Sequence, residues 1–577
     1  MTSALAPPPV QLPTLVQAWI AQDPDPASRQ ELQQLLIADD QEELTRRFQS
    51  TLHFGTAGLR GPVVAGPSGM NIATVRRASA GLARYLGDTV PGSRESGVVI
   101  GYDARHGSRR FAEETARVLT GAGFRVLRLP GQLPTPLLAY AVRRLECAAG
   151  VMITASHNPA QDNGYKVYVS NGAQIVPPAD SAIAAAMVAA GPLDCVPLSG
   201  AGEDVDDGIV RYYLQDIIAA LPPFAARDLT TVYTPMHGVG RRLLLPAFAQ
   251  AGFPAPRVVA LQGDPDPDFP TVPKPNPEEV GALDLAIADA RGASADLVLA
   301  NDPDADRLSV AIPVDDAAGE WRILTGDEVG ALLGDYLLSR SPHPEQAIVA
   351  TSIVSSGLLP RLAAAVGANC VQTLTGFKWI MHDSAIRVDA HFIFGYEEAI
   401  GYAVNDVVRD KDGISAALLV AGIAAEAKAQ GTTLAARLED IARRFGLHAT
   451  DHFAVELPGA AGSARMHQVM AKLRSAPPTE LAGGAVTEID DVAVGTRRRP
   501  DGSVGRLALP PSDVLVFRCG ASARLVIRPS GTEPKLKIYL EVVVPIPRSG
   551  DLKAATAIAE ERLAALRASI RPFLPPT

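Results

Sequence analysis

Four short stretches of this chain combine residue types that chemistry uses and that packing alone does not require. The first is Thr154-Ala155-Ser156-His157-Asn158-Pro159. A serine closing an apolar run, just before a Pro-terminated turn, can be presented at the edge of a cleft. His157 beside it can orient or deprotonate a nucleophile. The plainer reading is an ST-turn or a helix cap. No G-x-S-x-G elbow surrounds Ser156, so the α/β-hydrolase hallmark is missing. Downstream, Asn163-Gly164-Tyr165-Lys166 adds a turn and a cation. Alone, this loop is compatible with a phosphoryl or an acyl site and does not choose between them.

The second stretch, Asp302-Pro303-Asp304-Ala305-Asp306-Arg307, follows the apolar run Leu297 to Ala300. Three carboxylates at alternate positions can converge on one hard divalent cation such as Mg²⁺. An EF-hand needs Gly at loop position six and Glu at twelve, where this chain has Arg307 and Pro313. A solvated acidic turn is the blander reading, and Asp264-Pro265-Asp266-Pro267-Asp268 repeats the spacing. Arg307 separates the two runs, because it would set a cation beside a metal-bound phosphate. The third stretch, Gly395-Tyr396-Glu397-Glu398-Ala399-Ile400-Gly401-Tyr402, offers Glu397 and Glu398 as acceptors for sugar hydroxyls. Nearby Thr375-Gly376-Phe377-Lys378-Trp379 offers Lys378 to an anion. The fourth is Arg528-Pro529-Ser530-Gly531-Thr532-Glu533-Pro534-Lys535, whose cations, hydroxyls and glycine backbone can cradle a phosphate without being a P-loop. His448 and His452 are four apart, but their strand-like surroundings argue for an extended linker and against zinc.

Elements must position these loops. Residues 12–49 read as two short amphipathic helices. Helices are then expected over 74–86 and 110–122, with strands over 97–100, 125–129 and 150–154. The alternation recurs: strand 230–233, helix 241–250, strands 257–261 and 296–300, then strand 347–350, helix 358–366 and strand 391–394. Apolar runs, rather than in/out alternation, argue for parallel sheets covered on both faces. Three strands end in the polar loops above, and ligands of open α/β sheets gather beyond the carboxyl ends of strands. Three domains facing one cleft would follow. After Thr450 shorter strands and helices over 463–473 and 554–569 indicate a separate α+β domain.

The chain has 577 residues, which at roughly 150 per domain suggests about four domains. Hydrophobic residues at 47% and charged residues at 20% allow a sizeable core and exclude wholesale disorder. Only 5% is aromatic, so the cores must be aliphatic. The net charge of −10 argues against nucleic acid and against an anionic membrane as partners, so any phosphate must be held by local cations and amides. Four scattered cysteines fit a reducing compartment. No signal peptide or 18-residue apolar span is evident, so a cytoplasmic protein is expected.

Together, in this order, the four stretches resemble the α-D-phosphohexomutases, from about Phe54 to the C-terminus. Three further segments resemble the phosphoglucomutase/phosphopentomutase branch: Gly55 to Gly61, Gly101 to Arg105 and Thr375 to Trp379. The resemblance implies an α/β fold of four domains around one central cleft. Three would carry related mixed or parallel sheets and the last would be α+β. The expected division is a helical extension over 1–50, a phosphoserine domain over 51–221, a magnesium domain over 222–342, a sugar-binding domain over 343–449 and a phosphate-binding domain over 450–577. It implies that Ser156, as a phosphoserine, exchanges its phosphoryl group with a sugar monophosphate through a bisphosphate intermediate. Mg²⁺ would be held by Asp302, Asp304, Asp306 and a phosphoserine oxygen. Arg60 and Lys166 would be acid/base candidates, with His157 and Arg307 supporting the phosphoserine. Lys378, Glu397 and Glu398 would meet the sugar, and Arg528, Ser530, Gly531, Thr532 and Lys535 the non-reacting phosphate. Glucose phosphate is the first expectation for the substrate of a monomer or homodimer activated by a sugar 1,6-bisphosphate. The alternatives are mannose or pentose phosphate, bisphosphate synthesis, or a Mg²⁺-dependent phosphatase. Ile400 and Tyr402 stand where many members carry Ser and His, which leaves a pentose open.

Overall fold

The computed structural model describes residues 11–55, 57–315, 319–386, 391–457, 462–530, 535–547 and 550–575. The chain divides into two compact units. One comprises Met1–Leu324 with Gly401–Glu426, and the other Thr325–Ile400 with Ala427–Thr577.

The first unit opens with three helices, not two: Leu12–Gln22, Pro26–Ile37 and Gln41–Phe48. The extra break falls at Asp39, whose φ is +52°, and Asp40 then caps the third helix by accepting from the Glu43 N–H. An aspartate cap of this kind contributes about 1 kcal/mol. It offsets a turn that helical periodicity alone does not predict. Val16, Trp19, Leu32 and Leu44 bury a small core against Ala65, Ala73 and Val118.

Next comes a six-stranded mixed sheet. Its spatial order is Leu59–Pro62, Asp162–Val169, Ala149–Ile153, Val98–Tyr102, Val126–Gln132, Glu203–Asp204. The central strands are parallel, and Asp162–Val169 runs antiparallel to Ala149–Ile153. That antiparallel strand was not anticipated. Gly164 and Lys166 belong to it, so in place of the expected turn there is a strand paired on both sides. Helices Ser108–Gly121 and Thr135–Arg144 pack on the sheet, and Ile72–Thr89 shares its core. The core is aliphatic as composition requires: Val98, Ile100, Val126, Val151 and Ile153 are all at most 2% exposed. Each such side chain contributes roughly 1.5–3 kcal/mol on burial.

A second, five-stranded sheet follows in the order Glu320–Ile323, Ser309–Asp315, Leu297–Ala300, Thr231–Thr234, Arg257–Val258. Its last three strands are parallel and its first two antiparallel.

In the second unit, Ala347–Ser352 lies between Asn369–Thr373 and His391–Glu397, all parallel. The last strand runs three residues past the expected Phe394, because Gly395 and Tyr396 continue the ladder opposite Ala350 and Thr351. The C-terminal sheet is antiparallel and seven-stranded, starting at Leu447–Glu456 and running through Lys535–Val544 and Ala523–Pro529. Helices Gly462–Ser475 and Leu552–Ile570 share a core with it, around Val455, Leu525, Ile527 and Leu566. His448 and His452 lie on its first strand, in place of the expected linker. The fold is therefore four α/β or α+β domains: three with mixed or parallel sheets and a distinct antiparallel one at the C-terminus.

Candidate active site

In the first unit the serine loop and the aspartate loop meet. Ser156 opens the turn after Ala149–Ile153 with φ at +52°, and its N–H donates to Thr154 Oγ1 at 2.9 Å. A non-glycine residue in this left-handed region is strained by the order of 1–3 kcal/mol, which the surrounding structure must offset. The hydroxyl donates to Asp302 Oδ2 at 2.5 Å and lies 3.2 Å from His157 Nδ1. His157 is driven well below its ordinary pKa by burial, then by Arg307 and Arg60, so its ring is neutral. Arg60 Nη1 donates to Asn158 Oδ1 at 3.1 Å.

Asp302, Asp304 and Asp306 are buried, and one carboxylate oxygen from each lies within 4.8 Å of the others. Like charges this close repel by about 4 kcal/mol per pair even at an effective dielectric near 20. Burial, then Asp304 and Asp306, raise the Asp302 pKa well above the carboxylate range. Lys166 Nζ donates to Asp304 Oδ2 at 2.8 Å and to Asp306 Oδ2 at 3.3 Å, and Lys411 Nζ is 3.1 Å from Asp306 Oδ2. Burial works against charge on Lys166, but Asp304 and Asp306 outweigh it and raise its pKa. Oδ1 of both Asp304 and Asp306 is buried with no hydrogen-bond partner among the described residues. Converging carboxylates with two orphaned oxygens fit a divalent cation, and an all-oxygen donor set suits Mg²⁺. By contrast the 264–268 run is a surface turn: Asp264 pairs with Arg241, and Asp268 with His106.

The sequence reading left out several groups that hold these loops. Arg105 donates to the carbonyls of Ser156, Asn158, Pro159 and Asp162, fixing the serine loop from behind. Its segment, Gly101 to Arg105, carries no chemical signal in the sequence beyond the family resemblance. Thr135 Oγ1 donates to Asp304 Oδ2 at 2.7 Å. Lys411 sits in the charged run Arg409-Asp410-Lys411-Asp412, which was the available signal. Behind the aspartate loop, Gly238 is so close that a Cβ would stand 2.3 Å from Pro303 Cα, and Val239 N–H donates to Pro303 O. Arg307 N–H donates to Asp302 Oδ1 at 3.0 Å, and its side chain lies 3.6 Å from Glu278.

In the second unit, Glu398 Oε2 accepts from Ser352 Oγ at 3.1 Å and Ser355 Oγ at 2.9 Å. Burial, then Glu397 and Asp327, push its pKa up to about 7. Glu397 faces another way, accepting from Gly376 N–H at 2.6 Å and so tying its loop to the turn that carries Lys378. Lys378 is half-buried in the first turn of Phe377–Ile386. Arg528 Nη2 donates to Tyr539 Oη at 3.3 Å, and burial, then Glu398, push the tyrosine up to about 12. Ser530 N–H donates to Lys535 O, closing the hairpin at its base. Gly531 and Thr532 lie outside the described residues.

Fold and site together define an α/β enzyme of phosphoryl transfer. Four consecutive segments match the domain models of one family, described as phosphoglucomutase/phosphomannomutase. These are α/β/α domain I over residues 51–191, domain II over 211–314, domain III over 325–445 and the C-terminal domain over 484–559. A Haemophilus influenzae protein named "probable phosphomannomutase" is 43% identical over 489 residues, 84% of this chain and 95% of its own. A Schizosaccharomyces pombe protein named "probable phosphoribomutase" is 37% identical over 560 residues, 92% of this chain and 93% of its own. The crystal structure of a phosphoglucomutase/phosphomannomutase family protein from Burkholderia thailandensis has the same fold. Its TM-score is 0.68 at 18% identity, covering 91% of this chain and 98% of that one. The chain belongs to the phosphoglucomutase/phosphomannomutase family. Its reaction is the intramolecular phosphotransfer of the α-D-phosphohexomutases. Among the described residues no helix is long and apolar enough to cross a membrane.

Proposed function

We propose that the protein interconverts the 1-phosphate and 5-phosphate of a pentose, with mannose phosphate as the second substrate and glucose phosphate, the first expectation from sequence, behind both. The observation that carries this choice is Ile400. It lies two residues after Glu398 with φ at +51° and a side chain 2% exposed, so the position where many family members carry a serine offers no hydroxyl here. The ribose and mannose names of the two relatives support keeping both sugars as candidates.

In this reading Ser156 carries the phosphoryl group. A sugar hydroxyl attacks phosphorus, the P–O bond to Ser156 Oγ breaks, and the serine oxygen takes up a proton. Phosphoryl transfer of this kind relies on positioning and on neutralising charge. Asp302, Asp304 and Asp306, with a phosphoserine oxygen, would hold Mg²⁺, which supplies that neutralisation when bound. Lys166, kept charged by Asp304 and Asp306, suits the proton-donor role; Arg60 shares proton handling and faces the phosphoryl oxygens. Neutral His157 and the Arg307 backbone N–H orient Ser156 and its partner Asp302. Glu398 reads sugar hydroxyls, Glu397 holds the turn of Lys378, and Arg528, Ser530, Gly531, Thr532 and Lys535 bind the phosphate at rest. A sugar bisphosphate would act as activator by charging Ser156. In the same reading a helical extension over 1–50 precedes four domains over 51–221, 222–342, 343–449 and 450–577, while residues 401–426 are counted in the first compact unit.

A panel of ribose, deoxyribose, mannose, glucose and glucosamine 1-phosphates, with Mg²⁺ and a bisphosphate activator, tests the substrate order by kcat/KM. Ribose or deoxyribose should lead, and a tenfold or greater lead for glucose (about 1.4 kcal/mol of transition-state preference) would overturn it. Ser156→Ala should abolish turnover while leaving thermal unfolding unchanged.

A further inference from the structure

In the second unit a cavity of about 290 Å³ opens between the helix Leu358–Val366 and the turn that joins the strands Leu515–Cys519 and Ala523–Pro529. Its walls include Arg361, Arg518, Arg524, His448, Glu541 and Gln372. None of these belongs to the Glu398 and Arg528 site. Arg528 lies four residues beyond Arg524 along its strand, about 14 Å at roughly 3.4 Å per residue.

The cavity has an unusual charge pattern. Arg518 and Arg524 are direct cross-strand partners, and Arg524 is in turn opposite Glu541. Like charges directly opposite each other destabilise a sheet. Glu541 cannot serve both arginines. Its Oε2 accepts from Arg524 at 2.8 Å, and its Oε1 takes Ser356 Oγ, Gly357 N–H and His448 Nδ1 at 2.7–2.8 Å. Arg518 leans instead on Glu488 and Asp490 at 3.8 and 3.4 Å. Burial and the neighbouring Arg524 draw its pKa below the ordinary guanidinium range. Among the described residues the third guanidinium, Arg361, makes long contacts of 3.4 Å to the carbonyls of Phe445 and Ala521.

His448 adds a second, independent signal. Its side chain is 2% exposed, and its Nε2 is buried with no hydrogen-bond partner among the described residues. Nδ1 is taken up by the Glu541 carboxylate, so Nε2 is the ring nitrogen left for a ligand, an acceptor in the tautomer whose Nδ1–H donates to Glu541. A buried polar atom without a partner costs roughly 1–3 kcal/mol. The strand periodicity does not require a histidine there.

We infer that this cavity binds a small phosphate- or carboxylate-bearing metabolite with a free hydroxyl, its anionic group between Arg361 and Arg518 and its hydroxyl donating to His448 Nε2. Bidentate guanidinium contacts suit such an anion, and 290 Å³ suits a molecule of a few carbons.

Isothermal titration of the full-length protein with glycerol 3-phosphate, propyl phosphate and inorganic phosphate tests this. Glycerol 3-phosphate should bind wild type and Arg528→Ala alike, which separates the cavity from the substrate site. Ala521→Glu, at the exposed turn, and Arg518→Gln should each weaken it about tenfold, the loss of one charged hydrogen bond. Propyl phosphate, which lacks the hydroxyls, should bind several-fold more weakly than glycerol 3-phosphate. Inorganic phosphate binding as tightly as glycerol 3-phosphate would reduce the site to a free-phosphate site and overturn the metabolite. Equal binding of glycerol and propyl phosphates would overturn the His448 contact. Binding that survives both cavity variants, or no binding at millimolar concentration, would overturn the site itself.

Discussion

Three residues in the chemical loops adopt backbone angles that their side chains disfavour: Ser156, Ala305 and Ile400, with φ between +51° and +53°. Each sits at the tip of a loop that carries functional groups, so strain and chemistry coincide. Ser156→Gly should relax the backbone, yet it removes the hydroxyl that Asp302 accepts from, and turnover should vanish as in Ser156→Ala. Glu398 gives a pH-dependent expectation. Its folded pKa is raised to about 7 from an ordinary 4.5, so the folded protein holds this proton more tightly than the unfolded chain. Stability contributed by the neutral form is complete below the unfolded value and is lost as pH rises through about 7. Replacement by Gln should therefore raise the melting temperature more at pH 8 than at pH 4. Hydroxyl recognition needs the carboxylate, so kcat/KM should fall as pH drops below about 7, and Glu398→Gln should remove that limb at the cost of a low plateau. A wild-type limb unchanged by the substitution would assign it to the phosphate of the substrate.

At the scale of elements, the loops are held by residues that perform no chemistry. Asn71 caps the helix Ile72–Thr89 by accepting from Thr74 N–H, and its amide donates to the carbonyls of Val64, Gly66 and Gly69. Asn71→Ala should cost about 2–3 kcal/mol in chemical denaturation, a cap plus buried carbonyls left without donors. Gly238 is fixed by closeness to Pro303, where a Cβ would stand 2.3 Å from Cα. Gly238→Ala must push the aspartate loop away. The Mg²⁺ concentration for half-maximal activity should rise about tenfold or more, since metal ligands tolerate displacements of only about 0.2 Å. Circular dichroism should be unchanged.

For the molecule as a whole, each compact unit has its own long-range locks. In the second, Arg524 donates to the carbonyls of Ile353 and Ser355 and pairs with Glu541, joining the C-terminal sheet to the loop that holds Glu398. Burial alone would raise the Glu541 pKa, but Arg524, then His448 and Ser356, hold it well below the usual carboxylate range. This contributes stability above the unfolded carboxylate value that is lost as pH falls through the folded one. Arg524→Met should cost about 3–5 kcal/mol in urea denaturation at pH 7, the penalty of leaving a buried charge unpaired. The deficit should shrink toward low pH. No change at pH 7 would mean the pair is not holding the unit together.

Much of this protein is legible in its sequence because its chemistry is local. Ser156 with His157, the three aspartates, and Arg528 through Lys535 lie within a few positions of one another. Strands such as Leu297–Ala300 are apolar runs of the kind expected in a sheet covered on both faces, here paired parallel on one side and antiparallel on the other. The third N-terminal helix was missed because one αL residue, Asp39, interrupts an otherwise helical pattern. Arg105, Thr135, Lys411 and Ser355 were missed because their roles depend on partners 43 to 169 positions away. Spacing fixes which residues share a turn, whereas burial and long-range pairing decide which charges are neutralised. The sequence alone determined that a serine, a carboxylate trio and a phosphate cradle exist. The tertiary structure decided that Ser156 donates to Asp302, that Lys166 and Lys411 hold the trio, and that Glu397 faces Gly376. The physical reason is that hydrogen bonds and ion pairs acquire direction and strength only once water is excluded around them.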